Sequence, residues 1–190
     1  MIENVNFNPK EEFHTAAKVE VNDSLIQNLN SNSNYVALTA KYSIDMSQAE
    51  WHYYKGIPTK NLLIPIQETT ANVNKFIAVY YDERQFIKNI KVMSIEKTQD
   101  GFTLAFSDAE EKREVKGIYK NDQYIETQVN GQAVVKGEVT TMGLQDCLQA
   151  GFEGLPLWLK SFCAVACGAV WTGAGLAACA GCLVGLGIDC

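Results

Sequence analysis

KFIAVYYDERQFIKNIKVMSIEKTQDGFTLAFSD, residues 75–108, is rich in Val, Ile, Phe and Tyr and partly alternates apolar with polar positions. Alternation sends successive side chains to opposite faces, which is the pattern of a half-buried β-strand. The QDG at 99–101 supplies the glycine that a tight hairpin turn requires. Working outward, the same arrangement repeats: AEEK precedes REVKGIYK, KND precedes QYIETQV, and VNG at 129–131 precedes QAVVKGEVT. Upstream, YVALTAKYSI (35–44) and NLLIPIQE (61–68) have the same β-rich composition. Residues 35–142 are therefore expected to form an antiparallel meander of about six to eight strands. Ahead of it, KEEFHTAAKV (10–19) is the best part of a helix-length stretch over 10–29. The Asn/Ser run NLNSNSN (28–34) ends that stretch and carries a linker composition, so residues 1–34 read as a helical leader plus linker.

The whole chain has 190 residues, 47% apolar and 20% charged, and a formal charge of −6. That is a globular composition, and the acidic balance argues against a nucleic-acid partner, which needs a basic surface to displace counterions. Catalytic groups are scarce. His14 is expected to be solvated on a polar helix, and His52, between Trp51 and the pair Tyr53 and Tyr54, to pack beside aromatics. The mixed-sign run Glu110, Glu111, Lys112, Arg113 and Glu114 reads as a solvated hairpin end. No phosphate-binding loop, nucleophile elbow or paired-carboxylate pattern appears, and neither an enzyme nor a cofactor is expected.

The averages conceal a division near residue 143. All six cysteines and eight of the 14 glycines lie in residues 147–190, where Lys160, Glu153 and Asp189 are the only charged side chains. From 162 to 188 the one residue that is neither apolar nor glycine is Thr172. A run of that length exceeds the roughly 20 residues needed to cross a hydrocarbon core, so a tail anchor is one reading. The TGAG at 172–175 interrupts it, because each glycine weakens a helix by about 1 kcal/mol relative to alanine. Two short helices over 155–171 and 176–187, joined by a turn, fit better. The expected fold class is thus α+β: an N-terminal helix, an antiparallel β-meander, and a cysteine-rich helical hairpin over 143–190.

Cys163 and Cys167 are four apart, and Cys179 and Cys182 three apart, so each pair would share one helix face. In an antiparallel hairpin, facing residues have nearly constant index sums. This matches Cys163 with Cys182 and Cys167 with Cys179, and more loosely Cys147 with Cys190. The nested ladder is one of 15 complete pairings. A unit so small is not secured by burial alone, and disulfides imply an oxidising, extracellular location. Other cysteine chemistries fit less well. The CAGC at 179–182 has no basic neighbour to activate a thiol, and the apolar surroundings are unlike a zinc module. Cysteine modification stays open.

The block CLQAGFEGLPLWLKSFCAVACGAVWTGAGLAACAGCLVGLGIDC (147–190) resembles the C-terminus of halocin-type cysteine-rich bacteriocin precursors of archaea and Gram-positive bacteria. The resemblance covers about a quarter of the chain and rests on composition and cysteine pattern; those relatives carry more cysteines and a secretion signal. It implies a secreted antimicrobial peptide released from the C-terminus, with the upstream region masking it or conferring immunity. A processing protease would then cut near 140–146. The partners would be a target bacterial membrane or a membrane receptor. Trp158, Phe162, Trp171, Leu176 and Leu183 are the side chains expected to meet that membrane, by apolar insertion, because the block lacks the cationic charge that attracts anionic lipid. Residues 1–19 contain neither an apolar signal core nor a twin arginine, which leaves the export route open. Two other expectations stand beside this one: a tail-anchored β-domain without toxic activity, and a secreted β-domain whose tail is part of its core.

Overall fold

A computed structural model describes residues 14–20, 22–67, 72–121, 123–134, 148, 152–153, 155 and 180–184. Its centre is a nine-stranded antiparallel sheet in strictly sequential order. The strands are β1 (His14–Lys18), β2 (Glu50–Tyr54), β3 (Ile57–Pro65), β4 (Val73–Tyr81), β5 (Ile87–Lys97), β6 (Gly101–Asp108), β7 (Glu114–Lys120), β8 (Gln123–Val129) and β9 (Gln132–Ala133). Each neighbouring pair is connected without a crossover. The expected turns are present: Thr98 N–H bonds to Gly101 O across QDG. Asn130 and Gly131 both take positive φ (50° and 82°), the conformation a two-residue hairpin demands and Asn-Gly tolerates best.

Between β1 and β2 lie α1 (Ser24–Leu29), α2 (Ser33–Lys41) and a short 3-10 turn (Met46–Gln48). Asp23 caps α1 by accepting from Leu25 N–H at 2.9 Å, and Asn32 caps α2 by accepting from Tyr35 N–H at 3.1 Å. Both helices press their apolar stripe, Leu25, Leu29, Tyr35 and Leu38, onto one face of the sheet, against Trp51, Leu62, Ile64, Ile77, Val79 and Tyr81. The other face carries a second core. There Tyr54, Leu63, Phe76, Tyr80, Met93, Leu104, Phe106 and Tyr119 pack with Leu148, Phe152, Leu155, Ala180, Cys182, Leu183 and Val184 of the C-terminal block. With both faces covered, β4 is buried at six consecutive positions, 76–81, and its tyrosine pair is divided, Tyr80 facing the C-terminal block and Tyr81 the helices.

The α+β expectation is corrected on three counts. Among the described residues no N-terminal helix spans 10–29; HTAAK is strand β1, whose backbone pairs with β2. YVALTAKYSI, read as β, is largely α2: capping by Asn32 starts a helix whose Tyr35 and Leu38, three apart, bury together. The Asn/Ser run is accordingly the junction between two helices. Among the described residues a C-terminal helical hairpin is not seen. Leu148, Phe152, Glu153 and Leu155 are in helical conformation and residues 180–183 form one short turn; apart from Glu153 they are buried against the sheet. Other residues of 155–171 and 176–187 lie outside the described ones, as do positions 135–142 of the expected β region.

Candidate functional site

The most elaborated place in the molecule is where the sheet receives the C-terminal block. Three tyrosines from three non-adjacent strands point to that side and donate to its backbone. Tyr54 Oη on β2 donates to Gly181 O, Tyr80 Oη on β4 to Val184 O at 3.1 Å, and Tyr119 Oη on β7 to Phe152 O at 2.9 Å. Asn61 Nδ2 on β3 donates to Tyr54 Oη at 3.1 Å, orienting that hydroxyl. Burial raises the pKa of all three phenols, which therefore remain donors far above neutral pH. Hydroxyls aimed at main-chain carbonyls hold an apolar segment that has almost no polar side chains to offer.

Glycines on each side allow close approach. At Gly117 of β7 a Cβ would stand 2.8 Å from Phe152 Cγ, so the Phe152 ring lies directly on the strand. Phe152 also stacks with Phe106 at 6.3 Å between centroids, while Phe102 and Tyr119 stack beside it at 4.6 Å. At Gly181 the relation is reversed: a Cβ there would come 1.9 Å from His52 Cε1, so the block's own glycine lets the imidazole approach its backbone.

His52 is 1% exposed, and its Nδ1 is 2.8 Å from His14 Nε2. The two rings stack at 5.0 Å, and His14 also stacks on Tyr54 at 5.5 Å. Burial lowers the His14 pKa to about 4, and burial followed by the repulsion of His14 lowers that of His52 to about 3. The expected solvated His14 is thus a half-buried member of a pair, and the ring stacked on His52 is that of His14. On the same face Lys91 is 1% exposed, with Nζ 4.3 Å from the Tyr80 ring centroid. Burial first, then Lys88, lowers its pKa to about 7.

Of the cysteines, Cys182 is fully buried and disulfide-bonded. Cys147, Cys163, Cys167, Cys179 and Cys190 lie outside the described residues, and with them the pairing of the ladder. Leu183, expected to meet a membrane, is fully buried in the core here; Trp158, Phe162, Trp171 and Leu176 are outside the described residues. Among the described residues no helix is long and apolar enough to cross a membrane, and no group of three metal-ligating side chains assembles.

No protein-family model, curated protein or solved structure matches this chain. The site rests on its own geometry.

Sequence reasoning missed the tyrosine seat. Tyr54, Tyr80 and Tyr119 are separated by dozens of residues and only strand register brings them to one face. A usable signal was present in the doubled tyrosines at 53–54 and 80–81, since alternation must send one of each pair to either side. The aromatic group around His52 is divided by the sheet: Tyr54 and His52 face the C-terminal block, while Trp51 joins the helix-side core.

Proposed function

We propose that the chain is the precursor of a secreted, disulfide-stabilised antimicrobial peptide, carried as the C-terminal block and masked by the antiparallel sheet until proteolysis releases it. The observation that supports this reading is the tyrosine seat. Three phenols directed at backbone carbonyls, over an apolar bed, suit a surface that shields a greasy segment from solvent and from premature membrane contact. The block's lack of positive charge favours apolar insertion, or a receptor, over attraction to anionic lipid. The test compares the oxidised 147–190 peptide with the intact chain in growth inhibition of related bacteria and in leakage of dye-loaded liposomes. Activity of the peptide and silence of the intact chain support the proposal. A peptide inactive in both assays sinks it.

One observation favours a second reading, in which the C-terminal block is permanent core of a β-domain. Phe152, Leu155, Ala180, Cys182, Leu183 and Val184 are all fully buried. The two readings separate on truncation. Under masking, residues 1–146 retain a folded sheet; under permanent core, removing the block exposes Phe106, Leu104 and Met93 and the remainder unfolds. Intact mass of the secreted species, before and after reduction, reports cleavage and disulfide count together.

A further inference from the structure

The phenolic seat leaves the His14–His52 pair unused, and His52 lies directly under Gly181 of the C-terminal block. The His52 ring is pressed against Gly181, where a Cβ would come within 1.9 Å of Cε1, 2.2 Å of Nδ1 and 2.5 Å of Nε2. Its Nδ1 shares a hydrogen bond with His14 Nε2 at 2.8 Å. In that bond one nitrogen donates and the other accepts, so the neutral pair holds one proton between its rings. A second proton between them would set two N–H groups head to head. A proton taken at His52 Nε2 leaves a cation on a ring that is 1% exposed.

From the geometry we infer that the His14–His52 pair is an acid-operated release: proton uptake by the pair unseats Gly181 and frees the C-terminal block from the sheet. The inference rests on the masking reading and names its trigger. The surroundings support it. On β2 the one carboxylate facing the pair is Glu50; its Oε2 is 3.9 Å from His52 Nε2, an ion-pair distance once the ring is charged, but the carboxylate is itself part-exposed and its attraction is screened by water. On β3 the residues facing His52 are Asn61, an amide, and Leu63; on β4 the neighbour is Phe76; the 3-10 turn contributes Gln48. Of the titratable groups on β1, Lys18 stands at the far end of the strand from His14. Residues 180–184 are Ala, Gly, Cys, Leu and Val, with Cys182 held in its disulfide, and offer no countercharge. The Gly181 carbonyl is already taken by Tyr54.

An imidazolium there is relieved most directly by letting water in, which requires Gly181 to lift. Burial lowers both imidazole pKa values in the seated state, to about 4 and about 3, so the site is neutral when occupied at neutral pH. Unseated rings recover ordinary basicity. Acid therefore favours the unseated state, by about 30-fold per ring at about pH 5.

The experiment uses the intact oxidised chain and hydrogen–deuterium exchange, corrected for intrinsic rates, read on the peptide containing residues 180–184. Between about pH 7 and about pH 5, protection there should fall by about 30-fold or more while β4 to β6 keep theirs. The H14Q/H52Q chain should retain protection at both values. Wild-type protection that does not change with pH overturns the release and leaves masking intact; so does a pH response that survives in H14Q/H52Q. No protection of 180–184 even at about pH 7 overturns both. Should H14Q/H52Q not fold, imidazole Cε1–H resonances of the wild type decide. Midpoints below the ordinary histidine range, moving together with the Gly181 amide, support the release; ordinary midpoints with a stationary Gly181 amide overturn it.

Discussion

Replacing Gly117 by alanine sets two effects of opposite sign against each other. In a strand that packs against nothing, glycine to alanine stabilises by about 0.5–1 kcal/mol, because alanine loses less backbone freedom on folding. Here the new Cβ would stand 2.8 Å from Phe152 Cγ, 3.1 Å from Cδ1 and 3.0 Å from Tyr119 Oη. Carbon atoms prefer about 3.5–4.0 Å, so the ring must retreat by close to an ångström. Its retreat strains the 2.9 Å bond from Tyr119 Oη to Phe152 O. Overpacking of this kind costs about 1–3 kcal/mol, so the net expectation for Gly117→Ala is a loss of about 1–2 kcal/mol. Phe152→Ala alone should cost about 3–5 kcal/mol, as a fully buried aromatic is removed. In the Phe152→Ala background the ring is gone and Tyr119 Oη, at 3.0 Å, is the close atom that remains; as the far end of a side chain it can yield, and Gly117→Ala should turn neutral to stabilising, by up to about 1 kcal/mol. The cycle thus predicts a coupling of about 2 kcal/mol, measured by equilibrium denaturation of the oxidised intact chain. A stabilising Gly117→Ala in the wild type, or two effects that simply add, would show that Phe152 does not sit on β7.

Histidine linkage gives a second expectation. His14 and His52 have folded pKa values below the unfolded 6.5, so the unfolded chain binds protons first and stability falls as pH falls from about 6.5 toward about 4 and then about 3. At about pH 5 each costs about 2 kcal/mol; urea titrations across this range, with H14Q/H52Q as reference, test it, and identical pH slopes refute it. Tyr80→Phe deletes the buried hydrogen bond to Val184 O and should cost about 0.5–1.5 kcal/mol. Exchange at 180–184 should rise in that variant more than exchange in β8, and an equal rise across the sheet would count against the seat. Asp23→Ala removes both the α1 cap and the acceptor of Trp51 Nε1–H at 3.2 Å. A loss of about 1–3 kcal/mol with shifted Trp fluorescence is expected, and unchanged thermal stability would contradict the capping assignment.

Residues 75–133 were legible in advance because strand alternation and turn chemistry are local. Asp-Gly and Asn-Gly adopt their turns whatever the rest of the chain does, and QDG and VNG fell where the hairpins are. The helical reading of HTAAK failed because alanine-rich sequence favours a helix only until a neighbouring strand offers its edge, and β2 does. The β reading of 35–44 failed because Asn32 fixes the start of α2, and capping outweighs the β preference of Tyr35, Val36 and Thr39.

The amino-acid order alone determined the meander, through period-two alternation, and the two-material character of the chain, through the confinement of cysteine and the near absence of charge after residue 146. Tertiary structure decided what those materials do to each other. Tyr54, Tyr80 and Tyr119 become one set of donors, and His14 meets His52 across 38 positions, only when sheet register is fixed. Register depends on hydrogen bonds summed over nine strands rather than on any local preference, which is why composition could announce a greasy C-terminus but not the surface that holds it.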